Sequence, residues 1–477
     1  NSNNNFSAVI PYDMELQRKE SKEFLDDLTA RDQRMMPGLM TILLTASTKA
    51  RLDIDTDTLC AIGRQGLCHF ATLKYQQMDG LNTALPYGAR KIDALRTLTT
   101  ESAAVFMPFR VQDVSDRGGV YCGINAISRN MIICDKRNLL NPNGFRLGVP
   151  GSGKSMGAKD EIEQIAIKTD DDVLICDPEG EYGALIEALG GEVIRIAAGS
   201  GDHINAMDMV EGYGDSKDPV FNKSEFILSL FEQLDKSKAL SVIEKGIIDN
   251  CLRNVYKEYK NGGVLPTLAV LQDELRRHHD SEAEGLAKML ELFTNGSLNV
   301  FSHPTNVDTQ SRLVVYDILN LGSQLKTMGL LVITDAMINR VSENWKKGKR
   351  THIYTDEFHV VFQNDYSANF FSSAWRQFRK RNAYPTGITQ NVEFLLDSVT
   401  ARTMLSNSEF IVMHNQAASD RAELAKLLSI SEEQLSHVTN ADAGCGLMRI
   451  GNAIVPFINR FDTNTASYRL MTTKPGE

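Results

Sequence analysis

The spacing of apolar residues changes character several times along the chain, and each change marks an element. From Tyr12 to Arg34 they recur at helical spacing among many charges, which predicts an exposed amphipathic helix. Thr56 to Gln77 mixes apolar and polar residues in the same helical fashion, and Leu85-Pro86-Tyr87-Gly88 then breaks the pattern. Up to about Pro108 the chain reads as the tail of a separate α/β domain. From Gly119 short β-rich runs take over: Val120 to Ile124, Met131 to Cys134 and Phe145 to Leu147, separated by Arg129-Asn130 and Asn141-Pro142-Asn143-Gly144. Met156 to Lys168 then reads as a helix and Val173 to Cys176 as a buried strand. Strand, loop, helix and strand in that order open a mainly parallel α/β sheet.

Between Pro219 and Ser302 the period becomes helical, with Phe226, Leu230 and Phe231 followed by Ile247, Ile248, Cys251, Leu252 and Val255. Leu268 to Leu275 and Leu286 to Phe293 continue it across loops such as Asn261-Gly262-Gly263, so an all-α insertion is expected. The sheet resumes with Leu313 to Tyr316, Ile353 to Thr355, Thr386 to Thr389 and Phe410 to His414. Gly451-Asn452 between Leu447–Ile450 and Ala453–Phe457 is a hairpin signal. The expected plan is 1–108 for the end of an N-terminal α/β domain, 109–218 for the first part of the core, 219–302 for the insertion and 303–477 for the second part.

Composition alters this picture little. At 477 residues, with 42% hydrophobic and 23% charged, the chain has material for more than one core. A net charge of -10 argues against a surface that grips nucleic acid as a whole and leaves room for a local basic groove. Seven cysteines without any C-x-x-C pair fit reduced thiols better than a disulfide framework or a zinc site. The most apolar early run, Met35 to Ala46, is too short to span a bilayer, and no signal peptide is recognisable. The polar opening at Asn1, without an initiating Met, reads as a piece of a longer protein whose N-terminal portion is missing.

Gly148-Val149-Pro150-Gly151-Ser152-Gly153-Lys154-Ser155 is a complete Walker A loop between a strand and a helix. Its backbone N–H groups and the dipole of the following helix suit phosphate, so Gly148 and Pro150 to Met156 are expected to hold ATP. Lys154 reaches the β- and γ-phosphates, and Ser155 offers its hydroxyl to Mg²⁺. Three strands end in Asp, at Asp177, Asp317 and Asp356, and only the last is followed by Glu. Asp356 is therefore expected at Mg²⁺ and Glu357 as the general base for water. The alternative acid site is Asp177-Pro178-Glu179-Gly180-Glu181-Tyr182, at a strand end where α/β ligands bind; there Glu179 or Glu181 touches the site or caps the next helix.

Gln390 ends another strand and either senses the γ-phosphate or precedes an ordinary cap at Asn391. Arg376, Arg379, Lys380 and Arg381 form a solvated helical face or include an arginine presented to a neighbour's ATP. Lys346-Lys347-Gly348-Lys349-Arg350 reads as a solvated turn unless it meets single-stranded DNA or anionic lipid. His359 and His414 read as satisfied structural histidines, and Trp345 and Trp375 as packing residues.

Asn141-Pro142-Asn143-Gly144 leading into GVPGSGKS, then CDPEGEY, YTDEFH and PTGITQN, resemble the conjugative type IV secretion ATPases of the CagE/TrbE/VirB class. Ser302 to Asp308 and Val455-Pro456-Phe457 are similar to its Gram-positive members, and the likeness runs from about Leu81 to the C-terminus. The resemblance implies a RecA-like P-loop core of the HerA/FtsK group, interrupted by the all-α insertion, with Walker A in 109–218 and Walker B and sensor in 303–477. It implies that Lys154, Ser155, Asp356 and Glu357 act as above, that Gln390 is the sensor, and that Arg379 or Arg381 is the finger. Asn382 departs from it, standing where a small residue is expected.

The implied function is an ATP-hydrolysing motor that powers channel assembly or passage of substrate. The implied partners are other copies of the chain (a homo-oligomer such as a hexamer), other secretion-channel proteins, and single-stranded DNA or a relaxase–DNA substrate. The implied place is cytoplasmic, in peripheral contact with the inner face of the cell membrane. Two further readings are a HerA/FtsK-like DNA translocase or coupling protein, and a scaffold that binds ATP with negligible turnover.

Overall fold

The computed structural model describes residues 12–30, 33–106, 111–214, 218–235, 239–322 and 325–473. The opening at Asn1, residues 31–32 of the stretch expected as a first helix, and Pro108 lie outside them. The chain divides into two compact units, 1–110 and 111–477.

The first unit contains α1 (Tyr12–Ala30), β1 (Met35–Gly38), α2 (Lys49–Gln65), α3 (Gln77–Ala84), β2 (Arg96–Thr99) and α4 (Thr100–Ala104). β1 and β2 form an antiparallel pair. Thr48 starts α2 by accepting from the N–H of Arg51, and Thr99 starts α4 by accepting from that of Ser102.

Among the described residues, the second unit is built on an eleven-stranded sheet. Its strands are β3 (Val120–Asn125), β4 (Met131–Cys134), β5 (Gly144–Leu147), β6 (Asp172–Asp177), β7 (Glu192–Arg195), β8 (Leu313–Asp317), β9 (Thr351–Thr355), β10 (Ala383–Thr389), β11 (Phe410–Met413), β12 (Cys445–Ile450) and β13 (Ala453–Ile458). Their spatial order is β4-β3-β13-β12-β11-β5-β10-β9-β6-β8-β7. The seven strands from β11 to β7 are parallel, and the remaining four extend the sheet as an antiparallel wing. Every residue of β5, β6, β9 and β10 is buried, as expected of parallel strands covered on both faces.

Helices α5 (Lys154–Lys168) and α6 (Gly183–Ala188) follow β5 and β6, and α18 (Ala466–Met471) packs against both. Among the described residues, five consecutive α-helices separate β7 from β8: α7 (Pro219–Leu234), α8 (Val242–Lys260), α9 (Leu268–Arg277), α10 (Ser281–Met289) and α11 (Glu291–Thr294). α7 begins with Asp218 as cap and Pro219 in the first turn, and α8 with a capping box of Ser241 and Glu244. The later helices are α12 (Lys326–Lys346), α13 (Asp365–Lys380), α14 (Val392–Asp397), α15 (Val399–Asn407), α16 (Ala418–Leu428) and α17 (Glu432–Leu435). No helix among the described residues is long and apolar enough to cross a membrane.

The basic turn after α12 is exposed from Lys346 to Gly348, as expected of a solvated turn, but three of its four basic side chains are paired. Lys346 pairs with Glu211 at 3.1 Å and Arg350 with Asp171 at 3.0 Å, while Lys349 pairs with buried Asp172. Asn382 takes a left-handed conformation (φ 51°) just before β10, one that asparagine tolerates better than most side chains.

An ion pair fixes the insertion to the core. Lys223 of α7 is wholly buried and donates to Asp335 of α12 at 2.5 Å, and the Tyr213 hydroxyl donates to the same carboxylate. Removing one partner strands a buried charge, so Lys223→Met should lower unfolding stability by about 3–5 kcal/mol. The double variant Lys223→Met/Asp335→Leu should recover most of that loss in chemical denaturation.

Candidate nucleotide site

The Walker A loop joins β5 to α5 at the carboxyl edge of the sheet. Gly153 sits in the left-handed region (φ 99°), and a Cβ there would lie 2.9 Å from the amide nitrogen of Gly444. A larger residue would fail on both counts. The first-turn N–H groups of α5 have no carbonyl within the helix to donate to and face the loop. Lys154 is buried and donates to the Val149 carbonyl at 3.0 Å. Burial lowers its pKa, opposed by Asp356, Glu357 and Glu181.

Pro150, Gly151, Gly153, Lys154, Ser155 and Met156 line a cavity of about 480 Å³, as do Glu179, Glu181, Asp356, Glu357 and Gln390. Gly148 and Ser152 shape the loop from behind. Ser152 is buried, its hydroxyl donates to Val149 at 2.7 Å and its carbonyl accepts from Gly444 at 3.0 Å.

Asp356 follows β9 and is 6% exposed, taking a 3.2 Å hydrogen bond from the Tyr182 hydroxyl. Burial pushes its carboxyl up to about 7; the backbone N–H of Glu357 opposes this, and the charges of Glu357, Glu181 and Asp177 add to it. Beside it, the buried Oε2 of Glu181 lacks a hydrogen-bond partner. The donors are all oxygens, including the Ser155 hydroxyl, and suit a hard cation such as Mg²⁺.

Glu357 adopts the left-handed conformation (φ 47°), uncommon for a residue with a Cβ and suggestive of a functional constraint. Both of its oxygens are engaged. Gln390 donates to Oε1 at 2.6 Å, and His359 Nδ1 lies 3.0 Å from Oε2. Asn391 Nδ2 sits 3.0 Å from His359 Nε2 and, donating there, leaves the proton on Nδ1 to face Glu357. His359 is thus satisfied, as its sequence context suggested, but its partner is the expected base. Its place two residues beyond Glu357 was the available signal.

The other expected residues separate. Asp177 accepts from the N–H groups of Glu179 and Tyr182 and orders the turn after β6. Glu179 pairs with Lys326 at 2.8 Å, whereas Glu181 lines the cavity near enough for its charge to act on Asp356 and keeps its Oε2 without a partner. Neither supplies a side-chain cap to α6.

Arg379 is exposed on the last turn of α13, which leads into the amino end of β10 and so lies across the sheet from the cavity. Arg381 is 8% exposed and donates to Ser342 and to the carbonyls of Gly212 and Gly214. Its guanidinium lies over Trp345, which is half exposed, while Trp375 stacks on Phe358 in the core.

A model of the TraG P-loop domain matches residues 131–444. The chain belongs to the TraG P-loop domain family. The TraG-type fold is shared with VirB4 of Thermoanaerobacter pseudethanolicus at a TM-score of 0.64 and 22% identity, over 74% of this chain and 98% of that one. It is also shared with the bacterial conjugative coupling protein TrwBdeltaN70 at a TM-score of 0.51 and 14% identity, over 75% and 94%. No curated protein matches the chain.

Several cavity residues of this TraG-type domain carried no signal in the sequence: buried Arg146, Asp160 of α5, and Asn459 and Phe461 after β13 all line it. His414, expected as a satisfied structural histidine, also lines it, but both of its buried ring nitrogens lack a hydrogen-bond partner. Arg146 pairs with Glu161 of α5 at 2.6 Å, and Lys136 joins the same carboxylate at 2.6 Å. Gly157 makes room, because a Cβ there would lie 2.9 Å from the guanidinium. Burial pushes the His414 imidazole down to about 3; Arg146 and Lys154 add to this, and the backbone of Cys445 and Ser152 opposes it without completing a hydrogen bond.

Burial also pushes the Glu161 carboxyl up, but Lys136 and Arg146 outweigh it and hold the group at about 2, below its ordinary 4.5. A depressed carboxyl stabilises the fold above its unfolded pKa and loses that contribution as pH falls through the folded one. Stability should therefore drop between about pH 4.5 and 2. Glu161→Gln should be less stable at pH 7 and show a shallower acid slope in pH-dependent denaturation.

Proposed function

We propose that this chain is the ATP-hydrolysing motor of a conjugative type IV secretion system, powering channel assembly or substrate transfer. The observation that carries the reading is Glu357, clasped by Gln390 and His359 one residue beyond buried Asp356, at the edge of the cavity that holds Lys154. ATP would lie with its phosphates in the loop from Gly148 to Met156, with Lys154 turning from Val149 to the β- and γ-phosphates. Ser155 and Asp356 would hold Mg²⁺, which supplies charge neutralisation at the phosphates. Glu357 takes the proton of the attacking water. Gln390, now on Glu357, is placed to exchange that carboxylate for the γ-phosphate and so report its presence. Glu181 directs its free oxygen towards the cation's water shell.

Arg379 acts as the finger. With Arg381 committed to backbone carbonyls, Arg379 is the arginine of the pair that a neighbouring copy can meet, and its place across the sheet means that it serves that copy's ATP. The active form is thus a homo-oligomer, as in a hexameric ring. It works in the cytoplasm at the inner face of the membrane, against other channel proteins, on single-stranded DNA or a relaxase–DNA substrate. The coupling-protein reading has the fold likeness to TrwBdeltaN70 in its favour. Turnover stimulated by DNA together with directional translocation would favour it over the secretion motor, and absence of turnover would leave the ATP-binding scaffold.

Lys154→Ala and Glu357→Gln should each abolish ATP hydrolysis by the oligomer, with nucleotide binding retained in Glu357→Gln. Wild-type hydrolysis that survives both substitutions would falsify the motor reading. Arg379→Ala should lower kcat by roughly 10³-fold or more. Mixing it with Glu357→Gln subunits should restore part of the rate, because each then supplies what the other lacks; an unchanged rate for Arg379→Ala would remove the finger.

A further inference from the structure

The strand order gives the cavity a direction. Asp356, Glu357 and Gln390 stand at the carboxyl ends of β9 and β10, to one side of β5. The γ-phosphate end of a nucleotide in the Walker A loop faces that side. The nucleoside must extend the other way, past the second turn of α5 towards β11, β12, β13 and β3. There the cavity continues as a crevice walled by Tyr121, Asp160, Asn459 and Phe461.

This inner crevice is built for a polar guest. Two side chains that line the cavity are more than nine-tenths buried and keep nitrogens without a hydrogen-bond partner: Nε of Arg146, and both ring nitrogens of His414. Asp160 is held rigidly at the wall. Its Oδ2 accepts from Gln164 at 3.2 Å and from Asn459 at 3.3 Å. Gln164 is itself clamped to both backbone groups of Tyr121 at 2.9 Å. The second oxygen of Asp160 accepts no hydrogen bond among the described residues, so the carboxylate offers one fixed acceptor to whatever enters.

We propose that this crevice is the nucleobase subsite and that Asp160 accepts a hydrogen bond from the 6-amino group of adenine, selecting ATP by its base. The inference rests on the reading of the cavity as an ATP site, and it adds the part of the ligand that the Walker motifs do not specify. The wall of Tyr121 and Phe461 gives the purine ring aromatic surface to lie against. A site built to accept a hydrogen bond discriminates against an analogue that cannot give one, because the acceptor is then left buried and unpaired.

The test uses the full 477-residue chain with magnesium and three competitors of a fluorescent ADP: ADP, purine riboside diphosphate (which lacks the 6-amino group) and tripolyphosphate. Diphosphates avoid turnover. ADP should bind at least about tenfold tighter than purine riboside diphosphate, the scale of one hydrogen bond to a charged group. In Asp160→Ala that ratio should fall to within about twofold of unity while tripolyphosphate affinity stays the same. Should Asp160→Ala lose tripolyphosphate as well, the isosteric Asp160→Asn decides by the same reduction in ratio. Equal affinity of the wild-type protein for the two diphosphates, or an unchanged ratio in the variants, overturns the subsite. In both cases retained tripolyphosphate binding leaves the ATP reading standing. Failure of the wild-type protein to bind any competitor overturns both together.

Discussion

The site is organised around an imbalance of buried charge. Asp356, Glu357, Glu181 and Asp177 converge on the carboxyl edge of the sheet, and Lys154 answers them from the phosphate loop. Packed against β6 and under Tyr182, Asp356 cannot shed its charge into solvent, and its carboxyl is pushed up to about 7. Such a cluster is costly by itself and becomes favourable when a divalent cation and phosphates complete it. The same geometry that penalises the cluster by itself underlies the affinity for a metal–nucleotide pair proposed for it.

The rest of the second unit holds this arrangement still. Lys159 of α5 is wholly buried and donates to the carbonyl of Met471, tying the C-terminal helix to the phosphate-loop helix, while its charge lies over the ring of Tyr182. Tyr182 in turn reaches Asp356, so one chain of contacts runs from the C-terminal helix to the acid cluster. Beneath α5 the Lys136–Glu161–Arg146 network fixes the helix to the strand that feeds the loop, and Gly157 exists there because the guanidinium occupies its side-chain space. At the far side of the sheet Lys223 and Asp335 seat the helical insertion on α12. Buried ion pairs thus stand where elements distant in sequence must keep a fixed register.

Local chemistry was legible wherever neighbouring residues carry it. Strand, glycine loop and helix from Phe145 to Lys168 announce a phosphate site by order alone, and the change of period at Pro219 announces the insertion. Asp356-Glu357 at the end of an apolar run needed no partner to be noticed. The hairpin at Gly451-Asn452 was equally plain, since its turn demands those residue types.

What the chain could not disclose depends on distant pairing. Arg379 and Arg381 are equivalent as letters, and only the fold makes one a buried tie to Gly212 and Gly214 and leaves the other exposed. The basic run at Lys346 is the exposed turn its letters suggested, but its ion-pair partners Glu211, Asp172 and Asp171 lie more than a hundred positions away. Asp160 and Asn459 lie some three hundred residues apart and share one wall of a crevice. The sequence by itself determined the phosphate-type loop and the Asp-Glu pair proposed to attend it, because those groups sit on one loop and one strand end. The tertiary structure alone decided the shape of the cavity beyond that loop and which charges remain available, because burial and pairing are properties of neighbours in space.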